Sequence, residues 1–365
     1  MQEKLRIARQ AAGMSTRKVA EVLSPRYPVS HATIANYERG VTRPSLELLS
    51  ALATLYERPV NWFLDRGVTI ENIRYRNLPS KVRVRDRHLF EGEVLRWVTA
   101  YVTLEQHLGK PLSAECKYTL ETIPSAPADL ARTVREELGV GYDQPIQSVV
   151  GVLHDFGVRV LEQPTGLRID GLAARFGTEH IVVLNPSMSN DRCRLNAAHE
   201  LGHVLFGDCD TEPSAAYRKK EEDKAFAFAS HLLMPTAALN EAFAGQSMVR
   251  LVKAKEKYGI SLAAMVYRAE QQKVVSKKVA KNLWFEFAKR GWRSQEPGAV
   301  RPDRATRFEE IVDIAIADRK TTLQKAALLA GVRSDELQER INLAMGISSD
   351  PHSDGPDVLR FPNNL

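Results

Sequence analysis

The chain has 365 residues, of which 44% are hydrophobic and 26% charged, with a net charge of +6. At about 150 residues per domain there is room for two or three packed domains, and the composition excludes a disordered or low-complexity chain. No apolar run approaches the ~18 residues that a membrane-crossing helix needs, and the charged N-terminus has no apolar signal core. A cytoplasmic protein without membrane contact is expected. Cys116, Cys193 and Cys209 are too few and too scattered for a disulfide framework, which suits a reducing compartment. Charge is uneven: residues 1–90 hold sixteen Lys and Arg against eight Asp and Glu, so residues 91–365 sum to about −2. A basic head on a near-neutral body predicts a polyanionic partner.

Five short helical patterns fill residues 1–66. An amphipathic helix through Leu5 and Ile7–Ala12 stops near Gly13, and Ser15 stands as N-cap to a second helix with Val19, Ala20 and Leu23 inward. After SPRYPV, Ser30 caps a third helix with Ile34 inward and His31, Ala32, Thr33 and Asn36 outward. Gly40 ends it. LELLSALATLY and PVNWFLD complete the unit. This stretch resembles the XRE/Cro-type helix-turn-helix repressors, above all in VSHATIANYERGVTRPSLELLSALATLY. The resemblance implies that helix 30–38 enters the major groove of a double-stranded DNA operator. Ser30, His31, Ala32, Thr33 and Asn36 would face bases, while Arg17, Lys18, Arg39 and Arg43 approach phosphates. The turn before the third helix is several residues longer than is usual in that family. Such repressors read two half-sites, so a homodimer, nucleoid-associated, is expected.

Residues 67–90 are basic and turn-prone and read as a linker. Helical spacing resumes at Val94, Leu95, Val98, Tyr101, Leu104 and Leu108, with a second helix around 127–138. PIQSVVGVLHDFGVRVLEQP reads as a helix followed by a strand at Val158–Leu161, and HIVVLNPS as a further strand. That second strand is a candidate edge for an extended substrate. Two or three strands beside helices predict an α+β unit. His154 and His180 read as surface or packing histidines.

RLNAAHELGHVLFGD then places His199 and His203 four apart, neighbours on one helix face and able to aim both imidazoles at one ion. Glu200 points beside that ion, where it can take a proton from a water as general base. Leu195, Ala198, Leu201, Gly202 and Leu205 form the buried side, with Gly202 demanding close packing by a neighbour. A catalytic zinc normally has three protein ligands. The HExxHxxGxxH arrangement fails, because Phe206 and Cys209 replace its glycine and third histidine. KKEEDKAFAFASHLLMP offers a carboxylate instead: Glu222 begins a helical stripe through Ala225, Ala229 and Leu232.

Residues from about 145 to 235 resemble the ImmA/IrrE metallopeptidase family. The matching pieces are the Gly-Val-Arg-Val strand, Asp170-Gly171, IVVLNP, R-x-R before AAHELGH, and E-x-x-A-x-x-F-A-x-x-LLMP. Members are often fused behind an XRE-type domain and relieve repression by acting on a repressor, in mobile elements and stress responses. The resemblance implies Zn2+ held by His199, His203 and Glu222, Glu200 as catalytic base, and a repressor or antitoxin-like protein as substrate. Glu221 is the alternative ligand, followed by Cys209 and Asp208. Where the family shows Asn or Asp four residues after its glutamate ligand, this chain has Phe226, so either a backbone carbonyl or another carboxylate orients the metal-binding histidine or the site is weak. A non-catalytic sensor or protein-binding module is the competing function.

Beyond the motif, Trp284, Phe285, Phe287 and Trp292 read as core. TTLQKAALLAGVRSDELQERINLAM reads as two helices, the second capped by Ser334, and 348–365 as a flexible tail. The fold expected is mainly α: an all-α helix-turn-helix domain (1–66), a linker (67–90), an α+β zincin-like metallopeptidase domain with helical lead-in (91–245), and a helical C-terminal region (246–347).

Overall fold

A computed structural model describes residues 1–58, 60–64, 69–76, 82–112, 117–118, 120, 122–164, 169–212 and 218–345. The tail 348–365 and Cys116 lie outside the described residues. Five helices open the chain: α1 (Gln2–Ala11), α2 (Thr16–Leu23), α3 (His31–Arg39), α4 (Leu46–Leu55) and α5 (Val60–Leu64). Their boundaries are chemical. Ser15, Ser30 and Ser45 accept the amides of Lys18, Thr33 and Leu48, satisfying N–H groups that have no partner within the helix. Gly40 ends α3 at φ +76°, a conformation cheap only for glycine. Leu5, Val19, Ile34, Leu48, Leu52 and Phe63 form the core of this unit. Arg9 on α1 grips Glu38 on α3 through two bonds of 2.6 and 2.8 Å, with Glu38 largely buried.

The rest is built around a four-stranded sheet, β1 (Ile70–Arg76), β2 (Arg159–Glu162), β3 (Gly171–Phe176) and β4 (Glu179–Leu184), in the order β1-β3-β4-β2. Only β2 and β4 run parallel; the other neighbouring pairs are antiparallel. Side chains alternate across this sheet and sort into two cores. Leu172, Ala174, Phe176, Ile181 and Val183 face α6 (Val84–Leu108) together with the late helices α15 (Arg307–Ala317), α16 (Leu323–Ala330) and α17 (Ser334–Ala344). Ala173, Val182, Leu184 and Val160 face the opposite layer. That layer contains α7 (Pro127–Glu137), α8 (Val149–Asp155), α9 (Asn190–Leu205) and α10 (Arg218–Leu233). The helices α11 (Thr236–Phe243), α12 (Met248–Tyr258), α13 (Leu262–Gln271) and α14 (Lys277–Lys289) extend it. The first domain rests on α6, where Gly92 lets Ala11 approach so closely that a Cβ would sit 3.2 Å from it.

Several expectations change. Residues 67–90 are not linker throughout: 70–76 form an edge strand of the sheet, and α6 starts at Val84. The strand escaped the sequence reading because a bulge between Glu71 and Arg74, with Asn72 at φ +53°, breaks its alternation. HIVVLNPS is not an edge, since β4 is hydrogen-bonded by β3 on one side and β2 on the other. The region 246–347 divides between both cores, its last three helices returning to α6. Ser334 lies inside α17, whose N-cap is Arg333 without a side-chain bond. Phe287 is core, with Trp284 and Trp292 packed against it, but Phe285 is 68% exposed.

Candidate metal centre and DNA-facing helix

The central helix of the site is α9, buried on nearly every side from Arg194 to Leu205. It packs face to face with α10, and Gly202 makes that possible: a Cβ there would meet Phe228 Cδ1 at 3.0 Å and Ala225 Cα at 3.2 Å. The crossing carries Glu222 over the two histidines. His199 Nε2 and His203 Nε2 lie 3.0 Å apart. Glu222 places Oε2 3.2 Å from His199 Nε2 and Oε1 3.5 Å from His203 Nε2. Ligands at 2.0–2.1 Å on tetrahedral corners lie about 3.3 Å from one another, so the triangle has the size of three ligands around one zinc ion. Among the described residues, these three are the group that could hold a metal.

A second contact fixes how His203 presents itself. The helix ends at Leu205, and Gly207, at φ +74°, turns the chain so that Asp208 folds back under it. Asp208 Oδ2 lies 2.8 Å from His203 Nδ1, so Nδ1–H donates to the carboxylate and Nε2 points at the centre. Although burial alone would lower it, the Asp208 and Glu222 carboxylates raise the His203 pKa to about 9. Glu222, despite burial, is held well below the usual carboxylate range by the two imidazoles. His199 is pushed down to about 3, first by burial and then by the charges of Arg76 and His203. The His199 lone pair, the Glu222 carboxylate and His203, which gives up its Nε2 proton when a metal binds, converge into a site that favours a cation.

Glu200 is fully buried, and neither of its carboxylate oxygens has a hydrogen-bond partner. Burial raises its pKa to about 7. Gly171 of β3 abuts it, where a Cβ would lie 3.3 Å from Oε1. The alternative ligands fall elsewhere. Glu221 turns to β1, 3.8 Å from Arg74 Nε, and Asp208 supports His203 from behind. Cys209 is buried in the turn after α9, and burial pushes its thiol pKa up, away from the thiolate a metal prefers. Phe226 stacks edge-on against Tyr267 at 5.7 Å, and His199 Nδ1 has no partner. The sequence reading missed Asp208 as a histidine partner and Arg76 as a neighbour of the site. The first had a signal, an aspartate immediately after a helix-ending glycine; the second had none beyond its charge.

In the first domain, Arg17 and Lys18 on α2, Ser30, His31, Ala32 and Arg39 on or beside α3, and Arg43 after it are exposed. Thr33 and Asn36 are half-buried. Some of these groups are already engaged: Ser30 Oγ caps Thr33, and Asn36 Oδ1 accepts from Arg39 Nη2 at 2.6 Å. Lys18 Nζ donates to Glu21 at 2.9 Å. The link between α2 and α3 spans Ser24–Ser30, the long turn read from the sequence. Of the two histidines read as packing residues, His180 meets Asp210 at 3.1 Å. The other, His154, has its pKa lowered to about 4, chiefly by burial.

Residues 5–63 match the helix-turn-helix family, and residues 153–270 match the IrrE N-terminal-like domain of the Peptidase_M78 family. The chain therefore joins an XRE-type helix-turn-helix domain to an ImmA/IrrE-type, metallopeptidase-like domain. Comparison with the curated proteins gives no match. No described helix is long and apolar enough to cross a membrane.

Proposed function

We propose that this protein is a cytoplasmic transcriptional regulator, binding an operator as a homodimer, whose second domain is a zinc peptidase acting on a repressor or antitoxin-like protein. The observation that carries the reading is the convergence of His199, His203 and Glu222 beside a carboxylate, Glu200, that is buried and unpartnered. Zinc bound there would supply Lewis acidity to a peptide carbonyl and to a water. The chain's own groups do the rest. Asp208 holds the His203 tautomer, and burial holds Glu200 near neutrality, where a general base works best. Glu200 takes the proton of the attacking water as its oxygen bonds the carbonyl carbon. It returns that proton to the leaving nitrogen as the C–N bond breaks. The outward residues of α2 and α3 read and grip the operator.

Glu200→Gln tests this reading: it should retain zinc and DNA binding and lose cleavage of proteins in the cell lysate, judged against wild type. Cleavage by the variant at the wild-type rate would refute Glu200 as base. One observation favours the sensor alternative: His199, Glu200 and His203 are each at most 2% exposed, which leaves Glu222 as the one member of the group that solvent reaches appreciably. If zinc-loaded wild type cleaves nothing while zinc changes its operator affinity, the sensor reading replaces the peptidase.

A further inference from the structure

β1 brings a cation to the metal centre. Arg76 ends that strand, and its register partner is Gly171, the residue that abuts Glu200. Asp170 N donates to the Arg76 carbonyl at 3.1 Å, locking this end of the strand against the site. The side chain is oddly placed for an arginine. Its Nε and Nη1 are buried without a hydrogen-bond partner, and its strongest charged neighbours are Glu200, then Glu222, then Asp170. Arg74, two residues earlier on the same strand, also leaves Nε and Nη1 without a hydrogen-bond partner, but its Nη2 donates to the carbonyls of Asp208 and Thr211 and its ion-pair partner is Glu221, which is not among the three converging ligands.

Buried donors without acceptors are costly, and so are buried acceptors without donors. What sets Arg76 apart from the other buried arginines is its register partner Gly171, which abuts Glu200, and Glu200 as its strongest charged neighbour. Both residues hold unsatisfied buried polar atoms, and no hydrogen bond joins them. A ligand carrying both an oxygen acceptor and a proton donor would satisfy both at once. A peptide carbonyl attacked by water is such a ligand, its oxygen gaining negative charge as the water gives its proton to Glu200.

We propose that Arg76 is a substrate-contacting residue of the metal centre, its guanidinium donating to the carbonyl oxygen of the bond to be cut. This rests on the peptidase reading above. α9 and α10 carry the candidate metal ligands and the base; Arg76 adds a protein donor at the carbonyl oxygen, beside the Lewis acidity that zinc would supply.

The test uses the full-length zinc-loaded protein and acetohydroxamic acid, a small probe with a carbonyl oxygen and an acidic N–O–H. Zinc affinity and probe affinity are measured separately by calorimetry. Arg76→Met should bind zinc within a few-fold of wild type but bind the probe about ten- to a hundredfold more weakly, the loss expected for a charge-assisted hydrogen bond. Arg76→Lys keeps the charge without the forked donors and should fall between them, which also serves if the methionine variant folds poorly. Unchanged probe binding by both variants would overturn the proposal. So would a parallel loss of zinc, which would make Arg76 a support for the ligands. If wild type itself takes up no zinc, the peptidase reading fails first, a different result from either.

Discussion

Gly202→Ala should couple packing to metal binding. Helix propensity alone favours alanine by about 1 kcal/mol. The structure opposes it: the new methyl would sit 3.0 Å from Phe228 Cδ1 and 3.2 Å from Ala225 Cα, and the second of these is backbone. A backbone atom cannot rotate away, so α10 must shift by a few tenths of an ångström, and overpacking of this kind costs about 1–3 kcal/mol. The net expectation is a loss of about 1 kcal/mol in urea unfolding of the metal-free protein. Glu222 lies one turn before Ala225 on the moved helix, and metal sites tolerate about 0.2 Å of ligand displacement. Zinc affinity, from competition with a chromophoric chelator, should therefore fall about tenfold. A variant about 1 kcal/mol more stable than wild type with unchanged zinc affinity would show that the α9–α10 contact does not set the site.

Other expectations follow from single contacts. Asp208→Ala removes the acceptor at His203 Nδ1 and should weaken zinc binding about 10- to 100-fold, with the same chelator competition as readout. Glu38→Ala leaves Arg9 without its carboxylate between α1 and α3 and should destabilise the first domain by about 3 kcal/mol in urea unfolding; a loss below about 0.5 kcal/mol would refute a structural role for the pair. Acid should act through His231, whose pKa is lowered to about 4 by burial and by Arg268. The unfolded chain binds that proton from about pH 6.5, so stability should fall as pH drops from about 6.5 to 4 and level off below. His231→Gln should flatten that part of the urea-midpoint profile, and an identical slope would reject the assignment.

Much of the fold was legible where the signal is local. Serine caps, a glycine stop and an inward Ile34 are set by neighbours within one turn, and they marked α2 and α3 closely. The shared face of His199 and His203 was legible because spacing on a helix is fixed by its pitch, whereas Glu222 was read from the apolar stripe it begins and from the family resemblance. What failed depended on distant partners. β1 is a strand because β3 pairs with it, and the Nη2 of its buried Arg74 donates to carbonyls more than a hundred residues away. Whether HIVVLNPS is an edge or the middle of the sheet is decided by which strands flank it, and its own residues do not encode that order. Phe226 shifted attention to a missing partner for the histidines. The fold supplies one for His203 through Asp208 and leaves His199 Nδ1 without one.

The position of β1 also joins the two halves of the molecule. α5 of the DNA-facing domain ends at Leu64, and Ile70 already begins the strand that carries Arg76 to Glu200.

His199, His203 and Glu222 are proposed to hold one metal ion together. Zinc content and affinity of purified wild type and Glu222→Ala, measured side by side, test it most directly. Wild type should hold one zinc tightly per chain, and the variant should bind it more than about a hundredfold more weakly, beyond the effect of losing an outer partner. Undiminished, stoichiometric zinc binding by Glu222→Ala would contradict it.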